Sequence, residues 1–326
     1  MGRLHRPVRV ACTVQFGLLT LSSSGRLHRP VRVACTVQFG SPAPSSSGRL
    51  HCLVRVACTV HHSHRVVLSR RGRESDMHLT ESTWRDADAM ETSLAVLPVG
   101  STEQHGPHAP LGTDALTAEA IAAEAVERVD REVAVAPTVP VGVAAEHRQF
   151  TGTLWVSPDS FRSYVRETAE SLAHHGWDRV VVVNGHGGNV APLREVCARL
   201  SREGTAYAVP FTWFDAVDPA EVGFSGAMGH GGPVETSLVS HLRPDLVDET
   251  AFEAAAEGGA DGWGEWQDGV NLAYDSAEFS DSGVVGDPGE GSADLGERLH
   301  DLASDRLASL LDTVATREIP VESREH

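Results

Sequence analysis

Three stretches, "GSTEQHGPHAPLGTD" at 100–114, "NGHGGN" at 184–189 and "GHGGPVETS" at 229–237, carry the residue types that hold divalent metals. Glu103 and His105 are two positions apart, so in an extended segment both side chains project to the same side. Asp114 follows where a helical pattern begins. His186 lies among glycines that let backbones approach closely, and His230 and Glu235 complete the set. Imidazole nitrogens with carboxylate oxygens suit zinc or manganese. A carboxylate that bridges two ions lets them share a water and bring its pKa toward neutrality. Each residue has a plainer reading: Asp114 as a helix N-cap, His186 as a loop residue near phosphate, Glu103 as an exposed acid. Their co-occurrence at strand ends favours the metal.

The elements that must position these residues alternate. Strands are expected at "SLAVLPVG" (93–100), "VAVAPTVPVG" (133–142), "RVVVVNG" (179–185) and "TAYAVPF" (205–211). Helices are expected at 113–132, over "PDSFRSYVRETAESLAHHGW" behind Ser157, at 189–203 ahead of Gly204, over "VETSLVSHL", and at the closing 292–317. Residues 252–292, rich in Gly, Asp, Glu and Ser, read as loop. Buried apolar strands between amphipathic helices predict an α/β fold, with a mostly parallel sheet covered on both faces. In such sheets ligands bind beyond the carboxyl ends of the strands, which is where the motifs fall.

The chain of 326 residues has no lysine, and its 27 arginines and 45 acids are unevenly shared. Residues 1–76 hold 12 arginines against Glu74 and Asp76, a net of +10, whereas 77–326 carry a net of −28. So acidic a surface suits a protein dissolved in concentrated salt, and it predicts a cytoplasmic protein of a salt-accumulating organism that binds no nucleic acid. No stretch approaches a membrane-spanning length, and no membrane partner is expected. The basic front segment repeats: "GRLHRPVRVACTVQFG" begins at Gly2 and at Gly25, and "GRLHCLVRVACTV" at Gly48, a period of 23. Short arginine-rich units joined by "SSS" offer no core to stack, so 1–76 is expected not to fold and Met77 to be the natural start of the catalytic domain, 77–326. Four of the five cysteines lie in that segment with no C-x-x-C pair, which argues against a zinc ribbon or a disulfide framework. Cys197 reads as a helix core residue. Other chemistries are missing their signatures: "GFSGA" fails G-x-S-x-G, and H-E-x-x-H, a Walker lysine and G-x-G-x-x-G are absent.

Taken with "GVAAEHRQFTGTLWV" (142–156) and "SGVVGDP" (282–288), the motifs resemble, in order over about 93–312, the creatininase family of metal-dependent amide hydrolases. Within it the chain most resembles the mycofactocin-pathway branch, creatininase-like peptidases that trim a modified precursor peptide. The resemblance implies a three-layer α/β/α sandwich, a homohexamer and two divalent ions per chain, zinc first, with manganese or iron as alternatives. It makes Glu103, Asp114 and His186 ligands of one ion and His105 with Asp114 ligands of the other. Creatininases proper have an acidic residue where this chain has Gly188, so Glu235 becomes the compensating ligand and creatinine a less suitable substrate. Ala144 and Thr151 replace a serine and a proline of the family pattern, which bears on substrate identity. Glu146 is expected to be a catalytic pocket carboxylate, and His147, Gly187 and Trp213 to be substrate-binding. The other reading of Glu146 and His147 is a pair that anchors a loop, and that of Trp213 is plain packing. The reaction expected is hydrolysis of a C–N amide bond in a small amide or short peptide by a hydroxide held between the ions, with His230 protonating the leaving nitrogen. Formamidopyrimidine-nucleotide deformylation and creatinine hydrolysis are the alternatives. From another class comes a non-catalytic metal- or anion-binding assembly protein, with "NGHGGN" cradling phosphate.

Overall fold

The computed structural model describes residues 34–39, 54–59, 76–226 and 228–319. The chain divides into two units, Met1–Arg70 and Arg71–His326, the second starting a few residues ahead of the boundary expected at Met77. In the first unit, β1 (Ala34–Phe39) and β2 (Val54–Thr59) pair antiparallel, with Cys35 opposite Cys58. These are two copies of the repeated "VACT" segment, whose β-branched residues favour an extended backbone, so some strand forms where none was expected. The rest of the repeat segment lies outside the described residues.

The second unit is built on β3 (Asp76–His78), β4 (Leu94–Val99), β5 (Val133–Val135), β6 (Arg179–Asn184) and β7 (Tyr207–Thr212). They form one sheet in the order β3-β5-β4-β6-β7, and every pair is parallel. Val180–Val183 are fully buried, the pattern of a central strand covered on both faces. The second expected strand is shorter than its apolar run because Pro137 and Pro140 cannot donate to a ladder; only a bridge of Val139 to Val99 continues it. The edge strand β3 and the short α1 (Trp84–Asp88) were not anticipated from the pattern.

Alternate residues of each strand feed two cores. Leu94, Val96, Val181 and Val183 pack with α2 (Thr113–Arg128), α6 (Pro233–Leu242) and α8 (Ala293–Thr316). Ala95, Leu97, Val99, Val180 and Val182 pack with α3 (Pro158–His174) and α4 (Val190–Glu203), burying Phe161, Val165, Leu193 and Leu200. This is the three-layer α/β/α arrangement. The expected ends hold. Ser157 Oγ caps α3 by accepting the Ser160 N–H with Pro158 in the first turn, and α4 stops at Gly204 in the left-handed conformation (φ 72°). The helical elements α5 (Trp213–Ala216) and α7 (Phe252–Glu257) are short. The stretch 252–292, expected to be loop, opens instead with the helix α7; beyond it the chain is largely loop, with one small hairpin of β8 (Trp266–Gln267) and β9 (Val270–Asn271). Among the described residues, no helix is long and apolar enough to cross a membrane.

Candidate metal centre

The segment after β4 delivers Glu103 and His105, and the first turn of α2 delivers Asp114. The turn after β6 delivers His186, and the strand-like approach to α6 delivers His230, with Glu235 in that helix's first turn. These elements meet at the carboxyl ends of β4 and β6. Asp114 is not the helix cap, since Gly112 holds that position, so its carboxylate is free to face the cluster. The two asparagines of "NGHGGN" brace the histidine between them. Asn184 Oδ1 accepts the His186 N–H at 3.1 Å, and Asn189 donates to Gly100 O while accepting the Val143 N–H. His230 is fixed by a two-bond antiparallel bridge to Val285 of "SGVVGDP".

The side chains then converge. His186 Nδ1 is 3.1 Å from Glu103 Oε1 and 3.2 Å from Asp114 Oδ2; His105 Nε2 is 3.0 Å from Asp114 Oδ1 and 3.7 Å from Glu235 Oε2. His230 Nδ1 lies 3.9 Å and His147 Nε2 3.5 Å from Glu103 Oε1. Glu103 and His105 are fully buried, and these close approaches are not aligned as hydrogen bonds, so both Glu103 oxygens, His105 Nε2 and Asp114 Oδ2 stay unsatisfied. Buried polar atoms left in this state call for an ion. Three triads have donor atoms mutually close enough for one: Glu103–His105–Asp114, His105–His230–Glu235 and Glu103–His147–His230. The donors are nitrogen and oxygen, and they fit a divalent metal.

The electrostatics agree. Burial works against a charged His105, but Asp114 and Glu235 outweigh it and hold the ring up at about 10. Burial is likewise overcome at His186 by Glu103 and Asp114, and its pKa is raised well above the ordinary value. The carboxylates therefore demand positive charge at these two rings, and a metal can supply it in place of the protons. Burial raises Glu235 to about 7 despite His105, and it also raises Glu146. His147 and His230 go the other way: burial lowers His147 to about 4 and His230 well below its ordinary value, so both are neutral. Four carboxylates meeting here would repel phosphate, which weighs against the anion-cradle reading of "NGHGGN".

A family model for creatininase (creatinine amidohydrolase) matches residues 80–311. The chain belongs to the creatininase family. The mycofactocin precursor peptide peptidase of Mycolicibacterium smegmatis is 36% identical over 228 residues, 68% of this chain and 85% of that protein. The creatinine amidohydrolase of Pseudomonas putida is 32% identical over 191 residues, 52% of this chain and 72% of that one. A solved creatininase described as its manganese form superposes with a TM-score of 0.63 at 25% identity, over 74% of this chain and all of that one.

At Gly188, where the resemblance implies a departure from creatininases proper, the structure leaves no room for a side chain. A Cβ there would stand 2.0 Å from Val143 O and 2.8 Å from Glu146 Oε1, so no side chain fits without a shift. The Val143 carbonyl is occupied in holding His186 Nε2 at 2.7 Å. Glu235 does reach the cluster, its Oε2 accepting the Gly231 N–H at 2.6 Å. Above the cluster opens a cavity of about 410 Å³ lined by expected residues (Glu103, Glu146, His147, His186, Gly187, His230 and Glu235) together with Phe214, Met228 and Trp263. Trp213 is not brought to it. That ring is buried in the core beneath α8, because the chain turns into α5 there and presents the neighbouring Phe214 to the cavity. Trp263 was missed, since it lies in a stretch read only as loop. Its ring stands edge-on to His147 and His230, at 5.5 and 5.8 Å, with Phe279 behind it at 5.3 Å.

Proposed function

We propose that this creatininase-family hydrolase cleaves a C–N amide bond in a short peptide with a bulky apolar group beside the scissile bond, as a peptidase of the mycofactocin precursor type. The observation that carries this reading is a cavity with two unlike sides. Its floor is the carboxylate–histidine cluster, and its wall is Phe214, Met228 and Trp263. A volume of about 410 Å³ exceeds what a small cyclic amide fills, and the apolar wall would stay wet beside one. Creatinine and formamido-nucleotides are the less favoured substrates.

Two divalent ions, zinc first, would be held by Glu103, Asp114 and His186 on one side and by His105, Asp114 and Glu235 on the other. When bound, such ions lower the pKa of water toward neutrality and polarise a carbonyl. The chain's own groups move the protons. His230 donates its Nε2–H to Gln104 O at 2.7 Å, which leaves the Nδ1 lone pair facing the cluster. That nitrogen takes the proton released by the attacking water and hands it to the leaving nitrogen. Glu146, with its pKa raised by burial and Oε1 3.8 Å from His186 Nε2, is a second proton-holding group at the cavity's edge. Trp263 stands edge-on to His147 and His230 and gives the reacting face an apolar side. We place the enzyme in the cytoplasm as a homohexamer.

The test is a panel of creatinine, formamido-nucleotides and short peptides varied beside the scissile bond, run on the purified chain with metal analysis. Cleavage of peptides with apolar residues, abolished by chelation and restored by zinc or manganese, is expected. Turnover of creatinine alone would reverse the substrate assignment, and phosphate binding without metal or hydrolysis would favour the non-catalytic class.

A further inference from the structure

Four histidines face the cluster, and the hydrogen bonds behind their rings sort them. His186 is held from behind by Val143 O on Nε2, and His105 by Glu103 O on Nδ1 at 3.2 Å, which turns the other nitrogen of each ring toward the carboxylates. A ring whose outer N–H is held by a carbonyl offers its inner lone pair to a metal. His230 is turned the same way through Gln104 O, and its inner lone pair is the proton acceptor assigned above.

His147 does not. Its outer nitrogen, Nδ1, lies 2.9 Å from Gln104 Nε2. The orientation of that amide is set independently, because Oε1 accepts the Gly106 N–H and Nε2 also donates to Gly283 O, both at 2.8 Å. An amide N–H aimed at Nδ1 requires a lone pair there. Ser276 Oγ lies 3.0 Å from the same nitrogen but gives its single proton to Glu146 O at 3.1 Å, so Gln104 alone sets the tautomer. The proton of the neutral ring therefore sits on Nε2, the nitrogen that faces Glu103 and the cavity.

We propose that His147 is a catalytic hydrogen-bond donor rather than a metal ligand, its Nε2–H binding the oxygen of the scissile carbonyl as that oxygen gains charge, with Gln104 as the positioning residue that sets the tautomer. The identity of that oxygen rests on the hydrolase reading above; the tautomer does not. Gln104 serves two rings stacked 4.3 Å apart at 22°: its side-chain amide donates to His147, and its backbone carbonyl accepts from His230. The outcome is an N–H and a lone pair presented side by side. Amide hydrolysis needs both, a donor for the developing oxyanion and an acceptor for the proton of water.

The experiment is two-bond ¹H–¹⁵N correlation on the histidine-labelled full chain, metal-free and zinc-loaded, with His147 assigned by its loss in His147→Phe. In the wild type His147 should carry its proton on Nε2. In Gln104→Glu the carboxylate accepts where the amide donated, so the proton should move to Nδ1 of His147, while His230, held by a backbone carbonyl, stays as it was. His147→Phe should keep the wild-type metal content. On whichever probe of the panel is turned over, His147→Phe should lose about 10²–10³-fold in kcat with little change in KM. His147→Gln, whose amide N–H can reach the same place, should recover about tenfold. A wild-type His147 protonated on Nδ1, or a His147→Phe protein that loses metal, overturns the proposal without touching the hydrolase reading. If no probe is turned over, that reading fails, and the spectra and metal content decide this one by themselves.

Discussion

His105 Nε2 and Asp114 Oδ1 lie 3.0 Å apart with neither residue open to solvent. Asp114 Oδ2 faces His186 Nδ1 at 3.2 Å, so one carboxylate addresses two histidines delivered by different strands. That geometry makes Asp114 the residue on which two metal sites would depend.

Asp114→Ala should therefore lower bound metal from about two ions per chain to below one and abolish turnover. Glu235→Gln should deplete one site only. His230→Ala should retain metal and lose about 10²–10⁴-fold in rate. Metal analysis of the three purified variants checks this. A His230→Ala protein as depleted as Asp114→Ala would make His230 a ligand.

Proton release should accompany metal binding. His105 stands at about 10 and His186 well above the ordinary value near 6.5, so the metal-free fold holds protons at neutral pH that the unfolded chain largely lacks. Their contribution is complete below the unfolded value and is lost as pH rises through the folded one, and Glu235, raised to about 7, acts in the same direction. The melting temperature of the metal-free protein should fall between neutrality and about pH 10. Zinc added at neutral pH should release about two protons per chain, measured by titration in weak buffer. A rising melting temperature over that range would contradict the assignment.

Gly188→Ala places a Cβ against the Val143 carbonyl that holds His186. The expected cost is about 1–3 kcal/mol in stability, together with weaker metal binding. Denaturant unfolding with and without metal separates the two effects. Unchanged values for both would show that the 142–147 segment yields easily.

Truncation at Met77 should leave a folded, active enzyme. Among the described residues the five-stranded sheet takes its strands from Asp76 onward, and Met77 pairs with Ala134 on the edge strand β3. Insoluble 77–326 would show that the repeat segment contributes.

Salt should stabilise the fold. With a net charge of −28 over 77–326, mutual repulsion of carboxylates is strongest in dilute buffer. Thermal melts from tens of millimolar to molar KCl should rise, and a fall would remove the basis for a salt-adapted surface.

Much of this was determined by the sequence alone. The Val180–Val183 run, the Ser157–Pro158 start and the Gly204 stop mark strand and helix through local physics: β-branching, capping and left-handed backbone. Because ligands gather at the carboxyl ends of parallel strands, motifs placed just after "LAVLPV" and "VVVVN" already pointed to Glu103, His105, Asp114 and His186. Tertiary structure decided the rest. Which aromatic walls the cavity depends on how α5 turns into the core, so Phe214 rather than Trp213 faces the site. Trp263 reaches the histidines from a long loop that carries no periodic signal. The proton on His147 is set by Gln104, 43 residues away in the chain, and a hydrogen bond across such a separation leaves no trace in residue order.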